Sequence, residues 1–174
     1  MRHSFVCEDG NIAFDRPEFM RKVFQVLASD RKPNRVWFLQ SKAPRCFEQY
    51  LHLLPNNTYI VTTLETKRAE GYAEISKAPF PSQRYADFMD LQWDKKIVTV
   101  KPVLDFDLDT LRQWIVSINP RAVFIGYNSK PEKVSLPESE KKKMRQLIHN
   151  LEEKRVCVTK ESVRWLTVIL QTRW

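Results

Sequence analysis

Glycine is scarce in this chain: Gly10, Gly71 and Gly126 are the only three among 174 residues. Phosphate loops of the P-loop or dinucleotide type need two or three glycines within a few residues, because the backbone must approach the phosphate closely. No window here offers that, so both motifs are excluded. Cysteine is equally sparse, at Cys7, Cys46 and Cys157, and no two share a short spacing. A zinc knuckle, a C-x-x-C redox pair and a clustered iron–sulfur motif are therefore absent. An odd, unclustered count fits a reduced, cytoplasmic protein better than a disulfide scaffold. The three histidines, His3, His52 and His149, are isolated, and none sits in H-E-x-x-H. No apolar run approaches the ~18–20 residues of a membrane span, so no membrane partner is expected. Met1 to Phe14 lacks the apolar core of a secretory signal.

What the chain does have is apolar residue (43%) and charge (29%) in amounts that allow one domain with a buried core. The net charge is +8. Residues 1–100 carry 15 basic against 12 acidic side chains, and residues 101–174 carry 14 against 9. The surplus is spread rather than gathered in an arm. A basic domain favours a polyanion such as nucleic acid; the plainer reading is a solvated basic surface.

Short β-branched and aromatic runs alternate with stretches of helical period. The runs are Phe5–Cys7, Val36–Leu39, Tyr59–Thr63, Ile97–Val100, Ala122–Tyr127 and Val156–Val158. Each is apolar almost throughout, as expected of strands buried on both faces of a parallel sheet. Between them the periodicity predicts helices at Pro17–Leu27, Arg45–Leu54, Gln83–Leu91, Leu108–Ile118 and Ser139–Lys154, with Asp15 and Asp107 as caps. The fold class is therefore α/β: a partial (β/α) barrel, or an open, mostly parallel sheet of about six strands flanked by helices. A full eight-unit barrel takes ~250 residues. The domain is expected over 1–160. The tail 161–174, with Trp165 and Trp174, fits a helix or a strand and is expected to pack on the domain or on a partner.

In parallel α/β folds, ligands bind beyond the carboxyl ends of the strands. The residues that follow the runs are the candidate ligand-binding rim: Gln40, Ser41, Lys42, Thr63, Glu65, Lys101, Asp105, Tyr127, Asn128 and Lys130. The competing reading is that strand ends become polar in any case, with the lysines pairing to Glu65, Asp105 or Glu132. The lysines outnumber Glu65, so such a rim favours an anion. Asp105, Asp107 and Asp109 alternate, but the glycine and late glutamate of a calcium loop are missing, and no metal site is expected. No spacing identifies a catalytic nucleophile and its base, so catalytic residues stay unassigned.

The segments FLQSKAPRCFEQYL, LPNNTYIVTTLET, ISKAPFPSQRYADFM, KKIVTVKPVLDFDLDTLRQWI, INPRAVFIGYNSKP and LPE occur in that order. Together they resemble the later part of a radical-SAM-like (β/α) barrel family, loosely similar to spore photoproduct lyases. The resemblance runs from about Phe5 to Lys160. It implies a barrel built around S-adenosylmethionine chemistry. Two departures matter. The C-x-x-x-C-x-x-C segment that holds the family's four-iron cluster is absent, so no iron–sulfur cluster is expected on this chain alone. In "TVKPV", Lys101 stands where the family resemblance implies a glutamate before the proline, which inverts the charge at that strand end.

The resemblance implies a cluster-less, non-catalytic binding or regulatory protein, or one part of a split enzyme. The alternatives are an enzyme using S-adenosylmethionine or a nucleotide without a cluster, and a basic nucleic-acid-binding module. A barrel lacking units leaves open sheet edges, from which a homodimer or a completing partner subunit is expected.

Overall fold

The computed structural model describes residues 2–6, 13, 16–30, 35–66, 71–128 and 137–160. Cys7 and Asp15 near the N-terminus, the rim residue Lys130 and the tail 161–174 lie outside the described residues.

Six strands form one parallel sheet: β1 (Arg2–Val6), β2 (Arg35–Gln40), β3 (Thr58–Thr63), β4 (Lys96–Val100), β5 (Ala122–Ile125) and β6 (Val158–Lys160). Their spatial order is their chain order, β1-β2-β3-β4-β5-β6. Parallel crossovers are right-handed, so a sheet that always steps the same way places every connecting helix on the same face. The packing shows this. Trp37, Leu39, Ile60, Val98, Val100, Val123 and Ile125 point to one face and share a core with residues from every long helix. The opposite face carries a smaller apolar cluster of strand residues: Val36, Phe38, Val61, Ile97, Ala122 and Phe124. The protein is thus an open α/β array with a parallel sheet, wound in one direction rather than doubly wound.

The helices are α1 (Pro17–Ser29), α2 (Tyr72–Ile75), α3 (Pro81–Asp90), α4 (Leu108–Ile118) and α5 (Lys141–Glu153). Pro17 and Pro81 sit in the first turns of α1 and α3, where a missing N–H costs nothing. Helix α4 has the predicted bounds. Its first turn is held by Asp107, whose Oδ1 accepts from the Thr110 N–H at 2.9 Å, and its end by Asn119 in the left-handed region at φ 50°.

Three expectations shift. Residue Arg16 occupies the N-cap position of α1, with no side-chain bond. The segment expected as an α-helix over 45–54 is a 3-10 helix, Pro44–Leu53. Its buried residues Pro44, Phe47 and Tyr50 recur every third position, which suits three residues per turn better than 3.6. The last strand begins at Val158 rather than Val156. Helix α5 is followed by a turn with Arg155 at φ 59°, and Val156 still donates its N–H to Leu151. Among the described residues no helix is long and apolar enough to cross a membrane.

Candidate functional site

The carboxyl ends of the strands all lie on one rim because every strand is parallel. The loops there are stitched together by backbone bonds. Leu104 N–H donates to Glu65 at 3.1 Å, Val103 to Gly126 at 2.9 Å, Asp105 to Pro137 at 2.8 Å and Ser139 to Val103 at 3.1 Å. The Thr66 hydroxyl adds a bond to the Asp105 carbonyl at 2.6 Å. The loops after β3, β4 and β5 therefore form one continuous floor.

Three polar residues form a row across this rim. Strand alternation puts Gln40, Thr63 and Thr99 on the face of the smaller apolar cluster, one step beyond Phe38, Val61 and Ile97. The Gln40 amide donates to Thr63 Oγ1 at 3.3 Å, and the Thr63 and Thr99 hydroxyls lie 2.8 Å apart.

Beside the row, Glu65 is 2% exposed. Lys42 Nζ and the Tyr72 hydroxyl donate to its Oε1 at 2.7 and 2.8 Å, and Arg84 Nη2 lies 2.8 Å from its Oε2. Arg84, on α3, is completely buried. It also donates to the Thr63 carbonyl and the Tyr72 hydroxyl, each at 2.5 Å. One carboxylate is thus faced by two cations, and Lys42 keeps about a third of its side chain in solvent. Burial pushes the Glu65 carboxyl up, but Arg84 and Lys42 outweigh it and hold it below the ordinary glutamate range. Burial and the Glu65 charge push the Tyr72 phenol up to about 12. Glu65 is therefore a fixed acceptor and Tyr72 a fixed donor, and neither exchanges protons near neutrality. The nearby Cys46 thiol, 3.7 Å from the Ser41 hydroxyl, is pushed up to about 11 by burial and is not a ready nucleophile.

The sequence candidates separate into groups. Gln40, Thr63, Glu65 and Lys42 are brought together. Ser41 is buried against the 3-10 helix, where its hydroxyl accepts the Ala43 N–H at 3.0 Å and Thr62 bonds its carbonyl. Lys101 is exposed, and its peptide bond to Pro102 is cis. Asp105 pairs with Lys143 at 2.8 Å. The Asn128 N–H donates to the Glu138 carboxylate, and Tyr127 packs beside the main core. Lys130 lies outside the described residues. Of the alternating aspartates, Asp107 caps α4 and Asp109 lies 3.4 Å from Arg112. Among the described residues no cluster of His, Cys, Asp or Glu could hold a metal ion.

Arg84 and Tyr72 were missed by sequence reasoning. Arg84 carried a signal: with Phe88 and Leu91 it forms an i, i+4, i+7 stripe, so a charge stands on the buried face of α3. Tyr72 sits on the short helix α2, which follows Gly71 at φ 70° and has no apolar period to announce it.

No family model, curated protein or solved structure matches the chain in comparisons with each.

Proposed function

We propose that this chain is a radical-SAM-like open β/α barrel without a cluster of its own. In this reading it binds a small ligand through an anionic group, the phosphate of a nucleotide or the carboxylate of S-adenosylmethionine, on the strand-end rim. It acts as a non-catalytic binding protein or as one part of a two-part enzyme. The observation that carries the reading is the Lys42–Glu65–Arg84 cluster: two cations around one carboxylate leave a surplus positive charge beside the Gln40–Thr63–Thr99 row. The one-directional strand order supports the barrel relation, and the absence of a neutral-range titrating group in this cluster supports binding rather than proton transfer.

The test is calorimetric titration with S-adenosylmethionine, ATP and inorganic phosphate. Lys42→Glu and Lys101→Glu are each expected to weaken a bound anion at least about tenfold, or ~1.4 kcal/mol. Absence of binding by all three, or affinity unchanged in both variants, overturns the proposal. Iron and sulfide reconstitution of the isolated chain is expected to give no stoichiometric four-iron cluster. Among the described residues the sheet ends on β1 and β6, and we propose that a second copy or a partner subunit covers these edges; light scattering is expected to show a dimer, and a monomer overturns this.

The second reading, nucleic-acid binding, rests on the exposed Lys141, Lys142 and Arg145 of α5. It requires a steep fall of log K with log salt, which a small-ligand site does not produce.

A further inference from the structure

At the amino ends of β4 and β5, opposite the rim, the structure carries a cleft of about 290 Å³. Its walls include Trp93, Asp94, Lys96, Asn119, Pro120 and Arg121. Lys96 opens β4 and is 8% exposed. A buried ammonium normally has a carboxylate beside it, since the cost of leaving water is otherwise uncompensated. Lys96 has none within ion-pair distance among the described residues. Its Nζ donates one bond, to the Met89 carbonyl at 3.2 Å near the end of α3, and lies 5.4 Å from the centre of the Phe88 ring. An ammonium has three donors, so two are left over.

The charged neighbours are few. Asp90, at the end of α3, favours the protonated amine but does not offset the burial, which holds Lys96 below the ordinary lysine range. Asp94 is mostly exposed and lies 3.4 Å from Arg121. Arg121, the residue before β5, stands beside Lys96, and its backbone N–H donates to the Lys96 carbonyl at 2.8 Å. Trp93 is fixed by its indole N–H, which donates to the Thr58 carbonyl at 3.1 Å, and gives the cleft a rigid wall.

We propose that this cleft is a covalent site for small aldehydes bearing an anionic group, with Lys96 as the nucleophile and Arg121 as the anion's partner. A desolvated amine without a counter-ion spends more time neutral, and the neutral form has the lone pair that attacks carbonyl carbon. The Lys96 nitrogen forms a bond to the aldehyde carbon. The carbonyl oxygen takes up both protons that the neutral nitrogen loses and leaves as water, giving an imine. No oxidant or reductant is consumed.

The experiment is reductive trapping on the wild-type protein at neutral pH, with cyanoborohydride supplying the hydride that fixes the imine. Glyoxylate is the anionic probe and propanal the neutral one. Peptide mapping then compares the labelling rate of Lys96 with those of the exposed Lys141 and Lys142. Burial without a counter-ion raises the neutral fraction of the amine and Arg121 gathers the anionic probe, so Lys96 is expected to label faster than Lys141 and Lys142 with glyoxylate. Arg121→Gln is expected to slow glyoxylate labelling of Lys96 and to leave propanal labelling unchanged. Glyoxylate labelling of Lys96 no faster than that of Lys141 and Lys142 overturns the site. Equal effects of Arg121→Gln on both aldehydes overturn the anion preference.

Discussion

The two ends of the sheet each bury a cation, and they treat it differently. At the carboxyl end, Arg84 meets a carboxylate, a phenol and a backbone carbonyl. At the amino end, Lys96 meets one carbonyl and the face of a ring. The first arrangement neutralises charge inside the fold and fixes the geometry of a loop, since Arg84 ties α3 to the last residue of β3 and to Tyr72. The second leaves the charge poorly matched. Burial alone is therefore a weak guide to what a charged group does; the number and sign of its partners decide.

The largest effect is expected from breaking the matched end. Glu65→Gln leaves Arg84 buried without its counter-charge and is expected to cost about 3–5 kcal/mol in urea unfolding. Arg84→Met, which leaves Lys42 to hold Glu65, should cost less, and the double variant Glu65→Gln with Arg84→Met should cost less than the sum of the two. Additive losses would show that the two groups do not act as a pair.

Next in size is the response to pH, which has the same sign at the two ends, because both groups titrate lower in the fold, but falls in different pH ranges. Glu65 is lowered in the fold, so its contribution is present above the unfolded glutamate pKa and is lost as pH falls through the folded one. Wild type is therefore expected to lose more stability than Arg84→Met below about pH 4, near the ordinary glutamate value. Lys96 is also lowered, but it is a base: the unfolded chain holds the proton to higher pH. Its penalty is present at neutral pH and shrinks as pH rises through the folded value toward the unfolded one. Wild type should thus gain on Lys96→Met on the alkaline side, in unfolding measured across that range.

Tyr72→Phe removes one donor to Glu65 and one acceptor for Arg84, and is expected to cost about 1–2 kcal/mol by denaturant titration. Lys96→Met keeps the packing volume and removes an unpaired charge. It is expected to stay within about 1 kcal/mol of wild type, the smallest change of the set. A loss comparable to that of Glu65→Gln would erase the contrast between the two ends.

Much of the frame was legible in the residues, and the reasons are local. Strands β2 to β5 stand where apolar runs announce them, since parallel strands buried on both faces must be apolar throughout, whereas β1 starts at Arg2, ahead of the run Phe5–Cys7, and β6 shares only Val158 with the run Val156–Val158. Helix α4 was readable to the residue because a capping aspartate and a five-residue apolar stripe agree with each other. The 3-10 segment was not, because the i, i+3 pair of Phe47 and Tyr50 satisfies both helical periods and Leu51 and Leu54 extend it at the α spacing. At the rim, Glu65 was legible as a strand-end acid and Lys42 as one of the strand-end lysines that pair with such acids, because both follow neighbouring strands; Arg84 was not, because it reaches Glu65 across the fold from α3. Lys96 stands one residue before the run Ile97–Val100 and carries no motif. Nothing in a sequence shows that a lysine lacks a counter-ion.

The agreement between chain order and spatial order also bears on how the protein assembles. Each strand that leaves the ribosome finds its neighbour already made, and no strand waits for a partner synthesised much later. The array can therefore zip from its amino end, one β/α unit at a time, with short loops to close at each step. Growth of this kind has no internal stop, because the last strand always offers the same edge that the one before it offered.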